Sequence, residues 1–139
     1  IDAEGWLHTG DMGTMDVDGT LYIRGRCKTM ILTGSGQNIY PEEIEDKLNN
    51  MPLVLESLVL ENDGKLYGLV VPDFETCERE GIDRQTLEAT MEENLKALNA
   101  QIAAYERLVS ISIYPSEFEK TPKKSIKRYL YNASKLGIK

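Results

Sequence analysis

GRCKTMILTGSGQNIYPEEIE, residues 25–45, contains three kinds of element in succession, and their order decides how the rest is read. KTMILT, residues 28–33, is apolar and β-branched enough to predict a strand. GSGQN, residues 34–38, is a glycine loop. Pro41 then predicts a helix start, because a first-turn residue loses nothing by lacking an N–H and the fixed φ of proline already suits the turn. Glu42 and Glu43 complement the positive end of the helix dipole, Ile44 and Leu48 share one face, and NNMP stops the helix at Asn49 or Asn50.

Further along, VLESLVLE (residues 54–61) and KLYGLVVP (65–72) read as two strands joined by Asn62-Asp63-Gly64, an antiparallel hairpin. Asp83 predicts the N-cap of a long helix to about Ala103, with Leu87, Met91, Leu95, Leu98 and Ile102 as its core stripe. LVSISIYP predicts a third strand. A last helix is expected from about Lys124, because Ile126, Tyr129, Leu130 and Ala133 recur at i, i+3, i+4 and i+7. Residues 28–139 therefore predict an α+β domain, a small antiparallel-rich sheet of about three strands flanked by helices. Before it, Asp18-Gly19 predicts a hairpin within residues 1–27, an edge piece with little core of its own.

The chain has 139 residues, 41% of them apolar, enough for one cored domain. It shows no basic and apolar leader and no membrane-length apolar run, and two cysteines without metal-ligand spacing suggest reduced thiols; a cytoplasmic protein is expected. The net charge of −7 conceals an asymmetry. All 23 acidic side chains but only nine of the 16 basic ones precede residue 120, a balance of −14, and the final twenty residues carry seven cations and no acid. Five of those cations fall within Lys120–Arg128. Such an arm could meet RNA, an anionic lipid or a phosphorylated small molecule, but the acidic body opposes extended nucleic-acid contact.

Most motif-like stretches have plainer readings. GTMDVDGT places Thr14 and Gly25 where a calcium loop needs acids, so it is a hairpin turn. TGSGQN, residues 33–38, lacks the spacing of the phosphate and dinucleotide loops, although its place before Pro41 offers backbone N–H groups to a ligand. His8, the single histidine, has no metal partner or serine–acid pair in view, and Trp6 reads as packing. Asp11 differs: a carboxylate after Thr9-Gly10 at a strand end can accept two hydrogen bonds from a ribose diol.

Together these segments resemble the adenylate-forming (AMP-forming) ligase superfamily, which includes acyl-CoA synthetases, luciferases and the adenylation domains of peptide synthetases. GWLHTGD, residues 5–11, is similar to the segment that closes the family's large N-terminal domain; residues 25–45 resemble its hinge and glycine-loop motif. KTPKKSIKR, residues 120–128, stands where the family has a KTPTGKIKR-like motif. The middle motif, with the extra residue in TGSGQN, is most similar to long-chain fatty-acyl-CoA synthetases.

That resemblance implies residues 1–27 as the end of the N-terminal adenylation domain and residues 28–139 as its mobile C-terminal domain. Asp11 would bind the ribose hydroxyls of ATP or acyl-AMP, and Arg26 the same ribose or a phosphate. Lys28 would be the hinge. Gly34, Ser35 and Gly36 would approach the pantetheine of coenzyme A. The parent reaction would join a fatty acid to coenzyme A at the expense of ATP, with magnesium and ATP bound mainly by the N-terminal domain and no metal held here. Partners would be these ligands and that domain, with no nucleic acid and room for peripheral membrane contact; the chain alone would be inactive. One departure stands out: the position of the family's catalytic lysine is Ser125, and that of its preceding glycine is Lys124. Lys124 is taken as the catalytic cation, with Lys123 and Lys127 as alternatives, or adenylation proceeds more slowly without one. Competing readings are loading of a carrier protein and a non-enzymatic anion- or RNA-binding module.

Overall fold

A computed structural model describes residues 1–132 and 136. The expected α+β class is found, with strands β1 (Asp11–Met15), β2 (Leu21–Arg26), β3 (Ile31–Leu32), β4 (Asn38–Ile39), β5 (Val54–Asn62), β6 (Lys65–Pro72) and β7 (Leu108–Ile113). Among the described residues three α-helices accompany them: α1 (Pro41–Asn49), α2 (Phe74–Glu80) and α3 (Arg84–Gln101).

β5, β6 and β7 form one mixed sheet in that order, antiparallel at the hairpin and parallel between β6 and β7. The parallel pairing requires a crossover, and α2 and α3 supply it. Gly68 permits the close approach of β7, since a Cβ there would lie 3.0 Å from Leu108 Cδ1. Both sheet faces are covered. Val59, Val70 and Leu108 pack on one side against Ile44 and Leu48 of α1 and Met91 and Leu98 of α3. Leu58, Leu60, Leu69 and Val71 pack on the other against Phe118 and Tyr131. Alternate residues of one strand thus enter two cores, each buried Leu or Val contributing roughly 2 kcal/mol.

Helix ends follow their sequence signals. Pro41 opens α1 behind an extended Tyr40, and the Asp83 carboxylate accepts the Thr86 amide at 2.7 Å to cap α3. α2 was not expected, although Asp73 caps it and Gly81 ends it at φ 67°. The expected helix from Lys124 is corrected. Lys120 and Ile126 form an antiparallel bridge, Thr121 N donates to Ser125 O at 2.8 Å, and Lys124 has φ 65°, so this backbone closes a turn and cannot begin a helix. Among the described residues a 3-10 turn, Arg128–Leu130, follows, with Tyr129 exposed; Ala133 lies outside them.

Candidate functional site

β1 and β2 pair through the Asp18-Gly19 turn, and Asp11 faces Arg26 at the open end of this hairpin. Arg26 Nη1 donates to Asp11 Oδ1 at 2.6 Å. Cys27 N donates to Gly10 O, and the Thr29 and Met30 amides both turn back to Arg26 O, which leaves Lys28 exposed in the turn just beyond. Asp11 and Arg26 are therefore brought together, a carboxylate oriented by a guanidinium, and Lys28 follows in the turn that leads on to β3.

Two contacts that the sequence did not announce span that turn. Arg24 grips Glu43 of α1 through Nε–Oε1 at 2.5 Å and Nη2–Oε2 at 3.1 Å, and lies over the Tyr40 ring at 5.1 Å. The Glu43 carboxylate raises the Arg24 guanidinium pKa above its ordinary value. Thr29 donates its hydroxyl to Glu42. The hairpin thus rests on the first turn of α1.

Gly34, Ser35 and Gly36 form the tip between β3 and β4. Thr33 N donates to Gln37 O at 2.9 Å and Gly36 N to Thr33 O at 3.0 Å, with Gly36 at φ 87°. A Cβ on Gly34 or Gly36 would meet nothing within 4 Å, so the tip is open. Gly34 and Ser35 line a cleft of about 380 Å³ with Lys65, Tyr105 and Arg107. An aromatic ring and two cations beside a bare backbone suit a phosphate-bearing nucleotide. Sequence reading passed over these three because no run or spacing marks them; they converge only when the β5–β6 turn and the segment after α3 meet the loop.

The lysine-rich segment separates into two groups. Lys120 Nζ lies 2.5 Å from Glu56, Lys127 Nζ lies 3.1 Å from Glu119, and Arg128 is paired with Glu45. The carboxylate beside each lysine raises the pKa of Lys120 and Lys127. Lys123 and Lys124 sit exposed in the turn with no ion pair among the described residues. At Lys124 the left-handed backbone is a conformation that glycine adopts without strain.

A second cleft, of about 600 Å³, lies between Lys28, Thr29 and Pro41 on one side and Thr121, Ile126 and Lys127 on the other. It shares no lining residue with the cleft at the glycine loop. Among the described residues no three His, Cys, Asp or Glu side chains come together to hold a metal ion. Nor is any described helix long and apolar enough to cross a membrane.

With this geometry in view, the comparisons agree. Residues 28–134 match the family model of the AMP-binding enzyme C-terminal domain. The long-chain-fatty-acid–CoA ligase ACSBG1 of Mus musculus is 42% identical over 72 residues, covering 51% of this chain and 10% of that enzyme. An anthranilate CoA ligase, AuaEII, solved with anthranoyl-AMP, superposes with a TM-score of 0.73 at 30% identity over 95% of this chain and 24% of its own. The adenylation domain of a carboxylate reductase from Mycobacterium chelonae shares the fold, with a TM-score of 0.79 at 21% identity, covering 98% of this chain and 22% of that one.

Proposed function

The chain belongs to the AMP-binding enzyme C-terminal domain family, and from that membership we propose that residues 28–139 are the mobile C-terminal domain of an AMP-forming long-chain fatty-acid–CoA ligase, with residues 1–27 the end of the domain before it. The chain spans about a tenth of the ACSBG1 relative, and the acyl and adenine pockets are assigned to the part beyond it. In the first half-reaction the fatty-acid carboxylate attacks the α-phosphate of ATP and pyrophosphate leaves. Lys124 meets the negative charge that develops at the phosphate, while Asp11 and Arg26 hold the ribose. In the second, rotation about Lys28 brings the glycine loop to the pantetheine, and the thiol displaces AMP.

What supports this reading is that the glycine loop lines one cleft, while Lys28, facing Thr121 and Lys127 of the lysine-rich segment, lines another. One domain can then serve two reactions by presenting one face after the other. Lys65, Tyr105 and Arg107 extend the second face toward the nucleotide end of coenzyme A. Magnesium enters as the MgATP substrate; no described residues of this chain fit a metal site of their own, and no step is assigned to one. The free thiols of Cys27 and Cys77 suit a cytoplasmic protein. Pairing of three of the five cations weakens the nucleic-acid reading, which needs the whole run to face outward.

The deciding experiment uses the parent chain. ATP–pyrophosphate exchange should depend on a long-chain fatty acid, and Lys28→Pro, which restricts the rotating backbone, should impair one half-reaction far more than the other. Equal rates before and after that substitution would contradict the hinge, and absence of any exchange would contradict the ligase assignment.

A further inference from the structure

The segment from Lys120 to Arg128 has few apolar anchors of its own. Ile126 packs on the Phe118–Tyr131 core, but Tyr129 is 74% exposed. At its ends it is held by acids on the body of the domain. Lys120 meets Glu56 of β5, and Arg128 reaches back to Glu45 of α1, donating from Nη1 to Oε2 at 2.8 Å and from Nη2 to Oε1. Glu45 is only 5% exposed, and its Oε2 also accepts the Val59 amide at 2.7 Å.

The Arg128–Glu45 pair, with its carboxylate buried, is a poor device for stability alone. Packed apolar residues of similar volume commonly hold a fold as well as a buried ion pair, whereas loss of one partner leaves a buried charge. Glu56 Oε2 is moreover buried with no hydrogen-bond partner among the described residues, a cost set against its pair with Lys120. What a two-point Arg–carboxylate pair provides is fixed position and orientation. The two grips bracket Lys123 and Lys124.

We propose that Glu45 and Glu56, through Arg128 and Lys120, are positioning residues for adenylation that fix where the turn carries Lys124. This rests on the assignment of the turn to adenylation made above. The pair at Lys127 and Glu119 has no such part, since Glu119 is 61% exposed and an ion pair in solvent contributes little.

The test uses the parent enzyme with Glu56→Gln, Lys120→Met, Glu45→Gln and the exchanged pair Lys120→Glu with Glu56→Lys. ATP–pyrophosphate exchange and thioester formation from preformed acyl-AMP are measured beside the thermal midpoint. Displacing a reacting group by about 1 Å can cost on the order of a hundredfold. Glu56→Gln and Lys120→Met should therefore lower exchange kcat by roughly tenfold to a hundredfold, with the KM for ATP unchanged. Thioester formation should stay within about twofold, and the exchanged pair should recover most of the lost exchange. Proportional loss of both half-reactions, or no loss in either, would overturn the proposal as a structural role. Should Glu45→Gln not fold, the partly exposed pair at Glu56 still decides. Lys124→Ala separates the two levels: loss of exchange there with none in Glu56→Gln removes only the positioning role, while unchanged exchange in Lys124→Ala removes the assignment of the turn as well.

Discussion

Lys120 and Ile126 bridge to each other and fold the residues between them into a turn, with Lys124 at φ 65° near its tip. A left-handed lysine is disfavoured by roughly 1–2 kcal/mol, partly offset in any comparison with glycine by glycine's greater freedom when unfolded. Lys124→Gly should therefore stabilise the fold by no more than about 1 kcal/mol while abolishing most adenylation. Adding Ser125→Lys to it should restore adenylation, because the cation returns one position along. Thermal melts and pyrophosphate exchange on the single and double variants check this; no recovery in the double variant would count against the turn as the carrier of that charge.

The glycine loop separates strain from access. Gly36 lies at φ 87°, so Gly36→Ala should cost about 1–2 kcal/mol in stability. Gly34 has neither a left-handed φ nor a neighbour near an added Cβ, and Gly34→Val should leave the melting midpoint almost unchanged while slowing thioester formation. Stability and thiol transfer falling together at Gly34 would argue that the loop is structural only.

Two helix caps predict an acid dependence. The Thr76 and Thr86 hydrogen bonds lower the carboxyl pKa of Asp73 and Asp83 below the ordinary value of 3.8. The folded state then binds fewer protons than the unfolded one in that range, so the caps stabilise fully above the ordinary value and lose this as pH falls through the lower folded value. Asp83→Asn should lower the melting midpoint near pH 7, with the difference shrinking toward about pH 2. A difference independent of pH would show that the charge is not what caps α3.

The two thiols should react at very different rates. Cys27 is exposed, while Cys77 is buried, and burial raises its thiol pKa. An alkylating reagent followed by peptide mass spectrometry should label Cys27 in the native protein and Cys77 only after unfolding. Rapid native labelling of Cys77 would mean that α2 opens readily.

The parts legible in the sequence were those whose signals are local. Pro41 with two glutamates, Asp83 before a helical stripe, and Asn62-Asp63-Gly64 between two apolar runs each specify an element within a few residues, and each is found. The seven-residue α2 carried Asp73 and Gly81 as its end signals but is too short to show a periodic face. The final segment misled because Ile126, Tyr129 and Leu130 mimic helical spacing, whereas its backbone answers to Lys120, Glu45 and Glu56, contacts that lie far apart in sequence or turn on a single positive φ. For the same reason Tyr105, Arg107 and Lys65 escaped notice beside the glycine loop.

The central claim is that one domain serves two half-reactions with different residues, and Lys124→Ala in the parent enzyme tests it most directly. Pyrophosphate exchange should fall by about a hundredfold, on the order of 3 kcal/mol of transition-state stabilisation, while thioester formation from preformed acyl-AMP stays within about twofold of the unaltered enzyme. Equal losses in the two assays would contradict it.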